Sequence, residues 1–233
     1  MSPQSVRPDK NSFLDLLFPN FVVTAESSPH ICRSSLHEDE WKIVADSVPE
    51  RQAEFCGGRV CAHQALKQLG VVDSAILQNK DRSPRWPDNV TGSISHTQGY
   101  CAAAVAKMDD IEGVGLDVEL YSPLDWKLSE LICSPQELVW LSSYSLSERG
   151  KLAKILFSVK EAAFKCQFPI TLEFIDYAQA EITLDFNELS FCVAVNHESP
   201  EVSLVCSKIH GRYEVKNGFI ISGATILNSP FLS

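Results

Sequence analysis

Disulfide and zinc patterns are both missing from this chain. Its eight cysteines include no Cys-x-x-C pair and show no regular spacing. Several lie inside apolar runs, such as residues 101–105 (CAAAV), which is typical of buried reduced thiols. This usage predicts a cytosolic protein rather than a disulfide scaffold. The Cys and His spacings match no zinc-binding pattern, so no zinc site is expected.

Long hydrophobic runs are also absent. The longest uncharged apolar stretch, residues 218–227, is too short to span a bilayer. Charged residues and prolines interrupt the first twenty residues, so no secretory signal is expected there. Together these features predict a cytoplasmic location and no membrane partner.

Positive charge is scarce: 20 Lys and Arg stand against 30 Asp and Glu, a formal net charge of −10. A general nucleic-acid binder needs a basic surface, so no nucleic-acid partner is expected. An anionic ligand would have to meet a local basic cluster or a bound metal. The 45% hydrophobic content is enough for a core, in one large domain or in two halves.

Two periodicities are present, which predicts an α+β fold. A capping-box pattern at residues 35–38 predicts the start of a first helix, and residues 50–69 predict a second, with Gly57-Gly58 expected to kink or split it. Later helices are expected to open near residues 134 and 147. Alternating patterns over 90–96, 100–106 and 114–119 predict an antiparallel meander, and further strands follow residue 171.

Asp117 and Glu119 are two positions apart on a predicted strand, so both point to the same face. Two carboxylates on one face suit a hard cation such as Mg²⁺. Gly113 and Gly115 on that face leave room for a bulky ligand. The alternative is that the two carboxylates form the solvated face of an edge strand.

Glu161 and Lys165 lie four positions apart on a predicted helix. This is the commonest spacing of a surface ion pair, which would carry no function. However, residues 157–164 around Glu161 are too apolar for an ordinary exposed helix face. A carboxylate in such surroundings needs a partner, so Glu161 is a candidate third metal ligand.

Ser95 and His96 are neighbours in a predicted strand and point in opposite directions, which argues against a hydrolase triad. His96 suits hydrogen bonding to an anion, or it is a structural histidine. Arg51 and Arg59 are either helix-surface charges or phosphate ligands. The Gly113-x-Gly115 pattern lacks the third glycine of a dinucleotide loop, so a Rossmann site is not expected.

Five segments, taken in order, resemble the 4'-phosphopantetheinyl transferases, specifically the enterobactin-synthetase branch of the surfactin-type group. They are Arg51 with GR (58–59), RSPRWP (82–87), GSISH (92–96), GVGLDVE (113–119) and FSVKEAAFK (157–165). The resemblance implies a fold of two similar α+β halves related by a pseudo-two-fold axis, with coenzyme A between them. The halves would be residues 1–120, with the 3'-phosphate site and the metal strand, and residues 121–233, with the Lys-Glu helix and the carrier-docking surface.

The resemblance also implies roles for particular residues. Mg²⁺ would be bound by Asp117, Glu119 and Glu161. Coenzyme A would be bound at its 3'-phosphate and adenosine end by Arg51, Arg59 and His96, with Ser95 and Arg82 assisting, and at its pyrophosphate by Lys165. Glu161 and Lys165 would be the catalytic residues.

The implied reaction transfers the 4'-phosphopantetheine of coenzyme A to a serine of an apo acyl or peptidyl carrier protein and releases 3',5'-ADP. Family members of this kind act in siderophore or secondary-metabolite biosynthesis, and the resemblance favours a monomer. Phe157 stands where the family often has Trp, and Val118 supplies no further metal ligand. Two rivals stay open: a Mg²⁺-dependent nucleotide diphosphate hydrolase and a non-catalytic coenzyme A-binding module.

Overall fold

The computed structural model describes residues 13–228 and has an α+β architecture, as predicted. The helices are α1 (Glu38–Val44), α2 (Pro49–Gln68), α3 (Trp126–Ile132), α4 (Pro135–Ser142), α5 (Leu146–Thr171) and α6 (Pro200–Ser207). The strands are β1 (Val23–Ser27), β2 (Leu77–Gln78), β3 (Pro84–Arg85), β4 (Val90–Thr97), β5 (Tyr100–Lys107), β6 (Ile111–Leu120), β7 (Ala180–Asp185), β8 (Ser190–Val195), β9 (His210–Lys216) and β10 (Phe219–Leu227). None of the helices between residues 13 and 228 is both long and apolar enough to cross a bilayer.

Two antiparallel sheets form the centre of the molecule, with strand orders β1-β5-β4 and β6-β10-β9-β8-β7. Helix α2 packs on the outer face of the three-stranded sheet through Cys61, Ala62 and Ala65, which are buried with Cys101 and Val105. Helix α5 covers the outer face of the five-stranded sheet. The layers therefore run α2, sheet, sheet, α5.

The alternation of small apolar residues in β5 explains how the two sheets meet. Ala102, Ala104 and Ala106 point away from α2 and are buried against Leu116 and Val118 of β6. Because β6 lies over β5 face to face, its edge is free to pair with β10.

The predicted meander is therefore only half right. Strands β4 and β5 form the expected antiparallel hairpin, but β6 pairs with β10 and not with β5. The strand that carries Asp117 thus belongs to the sheet of the C-terminal half. The proposed division after residue 120 stays a prediction.

Two local predictions around the first helices were wrong. Helix α2 runs unbroken through Gly57-Gly58, because both glycines serve close packing: a Cβ on Gly58 would lie 2.8 Å from Ile94 Cγ2. The expected capping box at residues 35–38 is displaced, since the N-cap of α1 is His37 and its backbone N–H donates to Glu40. Glu40 is fully buried and is held in place by several other contacts, which fixes the start of this helix.

Candidate active site

Asp117 lies at the centre of the candidate site, where β6 meets β4 and α5. It is 3% exposed, and its Oδ1 accepts hydrogen bonds from Lys165 Nζ at 2.7 Å and from Ser95 Oγ at 3.1 Å. Gly115 makes this approach possible, since a Cβ there would lie 1.9 Å from the carbonyl oxygen of Ala162 on α5. The glycine lets helix and strand backbones touch, which brings Lys165 onto Asp117 although they are 48 residues apart in sequence.

The second oxygen of Asp117 carries the strongest sign of a missing ligand. Oδ2 is buried, yet within residues 13–228 it has no hydrogen-bond partner. A buried carboxylate oxygen left without a partner is costly, and binding of a cation would satisfy it.

Glu119 lies two residues further along β6, on the same face. Its Oε2 accepts a hydrogen bond from Lys154 Nζ at 2.5 Å. Burial raises the pKa of Glu119 and the nearby Asp117 carboxylate raises it further, while the hydrogen bond from Lys154 acts in the opposite direction. Two carboxylates whose charges disfavour each other suit a shared cation.

Glu161 projects from α5 and accepts a hydrogen bond from the hydroxyl of Tyr177. Burial raises the pKa of Tyr177, followed by the hydrogen bond and charge of Glu161 and by the charges of Asp117 and Glu119. The phenol therefore lies within electrostatic reach of all three carboxylates and remains a hydrogen-bond donor at neutral pH.

The three carboxylates do not converge to metal-ligand distances of one another. Across residues 13–228, the one group of three such side chains with ligand atoms all within 4.8 Å lies elsewhere. Instead, Asp117 contacts Lys165, Glu119 contacts Lys154 and Glu161 contacts Tyr177. The donor set, all carboxylate oxygen with one buried oxygen free, still fits Mg²⁺ chemically.

Lys160 and Lys165 lie on different faces of α5 and have different surroundings. Lys160 is 2% exposed and donates to Glu137 Oε2 at 2.6 Å and to the carbonyl oxygens of Ile132 and Tyr177. Its three donor positions are thus filled by protein groups. Lys165 is part-buried and lies beside Asp117, where it is placed to meet an anion.

On the other side of β4, His96 lies between Arg51 and Glu54. Arg51 Nη1 is 3.0 Å from His96 Nε2, and Glu54 Oε2 is 3.4 Å from His96 Nδ1. Since guanidinium can only donate, Nε2 must accept, which assigns the proton of a neutral ring to Nδ1. Burial lowers the pKa of His96, and the positive charges of Arg51 and Lys165 lower it further against the effect of Glu54. The ring is therefore neutral at physiological pH.

Arg59 is 4% exposed, with its guanidinium over the ring of Phe55 and its Nε 4.0 Å from Glu40 Oε1. Its Nε is buried without a hydrogen-bond partner in the described part of the chain. Burial lowers the pKa of Arg59 to about 10, the charge of Glu40 raises it, and that of Arg51 lowers it. A buried, incompletely paired guanidinium next to a second arginine is suited to an anionic ligand.

Arg82 lies in an exposed turn at φ 70° and lines a cleft of about 650 Å³. The other walls of this cleft are β4 and the C-terminal part of α5, which contributes Phe164, Lys165 and Phe168. The structure therefore brings Arg82 and Lys165 to one cleft. Arg51, Arg59 and His96 lie together on the opposite face of β4, and Ser95 faces Asp117.

Sequence reasoning missed Glu54 and Tyr177, which contact predicted residues, and it offered Lys154 only for carrier docking and not as a partner of Glu119. Glu54 and Lys154 look like ordinary helix charges in the sequence. Tyr177 lies in a short 3-10 turn (Tyr177–Gln179) whose alignment with Glu161 depends on tertiary packing. No local pattern could have identified these contacts.

Comparison with known proteins identifies the family of this chain. Residues 39–106 match the 4'-phosphopantetheinyl transferase N-terminal domain, and residues 113–217 match the 4'-phosphopantetheinyl transferase superfamily. The chain is 31% identical to the 4'-phosphopantetheinyl transferase Svp of Streptomyces mobaraensis, over 90% of this chain and 87% of that protein. It is 30% identical to the 4'-phosphopantetheinyl transferase PptT of Mycobacterium tuberculosis, over 81% and 85% of the two chains.

Enterobactin synthase component D of Salmonella typhi is 33% identical over 57% of each chain. A crystal structure of Thermotoga maritima holo-[acyl-carrier-protein] synthase aligns with a TM-score of 0.40 at 18% identity, covering 51% of this chain and 64% of that one. The family resemblance carried by the five sequence segments is confirmed. This chain belongs to the 4'-phosphopantetheinyl transferase superfamily.

Proposed function

We propose that this protein transfers the 4'-phosphopantetheine group of coenzyme A to a serine hydroxyl of an apo acyl or peptidyl carrier protein and releases 3',5'-ADP. The observation that carries the proposal is the buried Asp117 carboxylate, which has one oxygen on Lys165 and Ser95 and the other without a partner in the described structure. Family membership supplies the reaction class, and this carboxylate supports the proposed place of the reaction.

Asp117, Glu119 and Glu161 are the residues that would hold Mg²⁺. When bound, Mg²⁺ offsets the charge of the pyrophosphate and of the leaving group. Oδ2 of Asp117 can meet the ion while Oδ1 keeps its contact with Lys165. Lys165 and Lys154, which lie beside Asp117 and Glu119, are placed to donate to phosphate oxygens at the same place.

Arg51, Arg59 and His96 would bind the 3'-phosphate and adenosine end of coenzyme A. Arg51 and Arg59 place two positive charges beside His96, where an anion can bind although the formal net charge of the whole chain is −10. His96, being neutral, would contribute hydrogen bonding rather than a charge, and it would donate to the phosphate with its ring proton moved from Nδ1 to Nε2. Arg51 is half-exposed and already faces His96, so a phosphate could bridge the two.

The cleft of about 650 Å³ lined by Arg82 and Lys165 has the size of a small-molecule site. Its walls are mostly apolar, with Trp86, Phe164 and Phe168 among them. Such walls suit the uncharged parts of coenzyme A, while Lys165 at one wall meets its phosphates.

The transfer can be written with this chain's own groups. The carrier serine oxygen attacks the β-phosphorus of coenzyme A, and a new P–O bond forms as the bond to the 3',5'-ADP oxygen breaks. Glu161 takes the serine proton, and the departing oxygen keeps the electron pair. Lys165 stabilises the negative charge of the leaving group. Tyr177 orients Glu161 through its hydroxyl hydrogen bond.

The basic side chains of the helical segment from Ser147 to Cys166, Arg149, Lys151 and Lys154, are the docking surface that the sequence offers for an acidic carrier protein. In the structure Arg149 donates to the backbone carbonyl oxygens of Ser142 and Tyr144, and Lys154 pairs with Glu119. Lys151 is exposed and lies 5.4 Å from the ring centre of Tyr121. We therefore expect Lys151→Glu to weaken transfer to an acidic carrier without changing coenzyme A binding, as measured by separate titrations of carrier and coenzyme A.

A cytosolic, monomeric enzyme is the setting we infer. All eight cysteines are free thiols, and six of them are buried, as expected in a reducing compartment. Siderophore or secondary-metabolite synthesis is the pathway class we infer from the family resemblance.

The proposal is tested by incubating the protein with an apo acyl carrier protein, coenzyme A and Mg²⁺, and weighing the carrier by mass spectrometry. A gain of one phosphopantetheine is expected, and chelation of Mg²⁺ should abolish it. Asp117→Ala and Glu161→Gln should each reduce kcat/KM by about a hundredfold or more. Glu201→Gln, an exposed acid on α6, is the matched control and should keep full activity.

Two other results would overturn the proposal. Breakdown of coenzyme A in the absence of a carrier would indicate the nucleotide diphosphate hydrolase. Coenzyme A binding with an unchanged carrier mass would indicate the non-catalytic binding module. Full activity of Asp117→Ala or Glu161→Gln would remove that residue from the site.

A further inference from the structure

Three side chains that the proposed transferase reaction does not use meet on the outer side of α2. His37 caps the start of α1, His63 lies on α2, and Asp73 lies in the loop that follows α2. Their ligand atoms all lie within 4.8 Å of one another. His37 Nε2 is 3.2 Å and His63 Nδ1 is 3.3 Å from the same oxygen, Asp73 Oδ1.

These distances match those within a metal coordination shell. Zinc bonds to His nitrogen and carboxylate oxygen are about 2.0–2.1 Å, so neighbouring ligands in a tetrahedral site are about 3.3 Å apart. Both nitrogen-to-oxygen distances from Asp73 already have this value. The sequence predicted no zinc site, because these residues fit no short spacing motif: His37 and Asp73 are 36 residues apart.

A buried carboxylate supports one of the two histidines from behind. His63 Nε2 is 2.9 Å from Glu40 Oε1, and Glu40 is 0% exposed. Glu40 also accepts backbone hydrogen bonds from Ile76 and His37, so its position is fixed. A carboxylate behind a histidine is the usual support of a metal ligand.

This support determines which His63 nitrogen can bind a metal. With Nε2–H donating to Glu40, a neutral ring has its lone pair on Nδ1, directed at Asp73 Oδ1. Two acceptors facing each other at 3.3 Å need either a proton or a cation between them. A metal ion bound to both, with His37 as third ligand, satisfies all three.

The cluster is also accessible from solvent. It borders an open cavity of about 520 Å³ between the start of α1, α2 and the loop around Asp73. Asp73 is exposed, so closing onto an ion costs little rearrangement. The cavity leaves room for water as a fourth ligand.

We propose that His37, His63 and Asp73 bind a divalent first-row transition metal, with Zn²⁺ the best match to two imidazoles and one carboxylate. This donor set distinguishes the site from the all-carboxylate site of Asp117, Glu119 and Glu161, which suits Mg²⁺. Bound metal would cross-link α1, α2 and the following loop. The native state would be stabilised because unfolding separates the three ligands.

The test uses the full-length protein without an affinity tag, stripped with chelator and titrated with Zn²⁺ by calorimetry in excess Mg²⁺ at neutral pH. One Zn²⁺ per chain is expected, together with a thermal unfolding midpoint that rises with Zn²⁺ concentration. Asp73→Asn should weaken binding at least tenfold. The double variant His37→Gln/His63→Gln should lose the site, while the amide that replaces the His63 ring can still donate to Glu40.

Two controls separate this site from others on the chain. His210→Gln, an exposed histidine on β9, and Asp117→Ala should both keep the one-to-one Zn²⁺ binding. The proposal is overturned by unchanged Zn²⁺ affinity in the folded double variant, checked by circular dichroism, or by no bound zinc at micromolar free Zn²⁺. None of these readouts depends on transferase activity, so the proposed function and this site can fail independently.

Discussion

Two buried cationic side chains, one on α5 and one on α2, differ in how completely protein groups satisfy their hydrogen bonds. Lys160 on α5 is 2% exposed and Arg59 on α2 is 4% exposed. Lys160 makes three hydrogen bonds, one of them to the buried Glu137. Arg59 has the ring of Phe55 against its guanidinium and Glu40 at 4.0 Å, and its Nε has no hydrogen-bond partner in the described part of the chain. Protein groups fill the hydrogen-bonding positions of the lysine, whereas those of the arginine are incompletely filled within residues 13–228.

This difference indicates a structural role for Lys160, although Lys160 lies inside one of the sequence motifs, and makes Arg59 the candidate for ligand binding. Lys160 lies next to Glu161 in the FSVKEAAFK segment, yet it ties α5 to the end of α3, to α4 and to Tyr177. A buried charge with full hydrogen bonding is costly to disturb and gains nothing from a ligand. An incompletely paired buried guanidinium destabilises the folded protein, and an anion that binds to it would remove that cost.

The two helices also differ in which element supplies the glycine that allows close packing on the sheet. On α2 the close approach comes from Gly58 of the helix, which faces the side chain of Ile94. On α5 it comes from Gly115 of the strand, which faces the backbone of Ala162 and Cys166. A side chain can rotate away from an added methyl group, but a helix backbone cannot.

The largest effect is expected for Lys160→Met. Removing one partner leaves Glu137 charged and buried, which should lower the free energy of unfolding by about 3–5 kcal/mol in urea titrations. Lys151→Met, an exposed position on the same helix, should change it by less than about 0.5 kcal/mol. Unchanged stability with lost activity would show instead that Lys160 acts on the substrate.

Gly115→Ala should be nearly as damaging, because its Cβ would overlap the carbonyl of Ala162 at 1.9 Å. We expect a loss of about 3 kcal/mol or more in unfolding free energy, with lower activity because Asp117 and Lys165 are forced apart. Gly58→Ala meets only the Ile94 side chain at 2.8 Å and should cost about 1 kcal/mol. Equal costs for the two variants in the same urea titration would contradict the backbone-contact argument.

Arg59→Met should weaken coenzyme A binding with little change in the free energy of unfolding. Its unfolding free energy should change by less than about 1 kcal/mol, since the lost Coulomb attraction to Glu40 is offset by removing an unsatisfied buried group. The KM for coenzyme A should rise at least tenfold, about 1.4 kcal/mol of binding free energy. Arg212→Met on β9 is the control, with no expected change in KM. A stability loss as large as that of Lys160→Met would make Arg59 structural.

Local sequence pattern predicted where strands lie in this molecule, but it did not predict which strands pair. The Asp117 strand, predicted over residues 114–119, is observed over Ile111–Leu120, because strict alternation marks a strand with one face on a core. The pairing of that strand with β10 was missed, since alternation fixes which face is buried and not which neighbour is hydrogen-bonded.

The candidate site shows the same limit. Asp117, Lys165 and Ser95 were all named from motifs, but their mutual contact depends on Gly115 admitting the α5 backbone. Gly57-Gly58 was interpreted as a helix break because its packing partners, Ile94 and Cys101, are distant in sequence. Glycine at such positions indicates a close contact between elements, but the contacted element can be identified only from the folded structure.

The smallest effect is expected for Tyr177→Phe, which tests whether Tyr177 orients Glu161 on α5. The change keeps the ring that packs near Phe157 and removes only the hydroxyl that donates to Glu161. A hydrogen bond to the part-buried Glu161 carboxylate is worth about 1.5 kcal/mol, the low end for a charged partner, so kcat should fall about tenfold in the carrier-modification assay while KM for coenzyme A is unchanged. Tyr121→Phe, an exposed tyrosine outside the site, is the control. A loss as large as that of Glu161→Gln would mean that Tyr177 takes part in proton transfer itself, and no loss would mean that Glu161 is oriented without it.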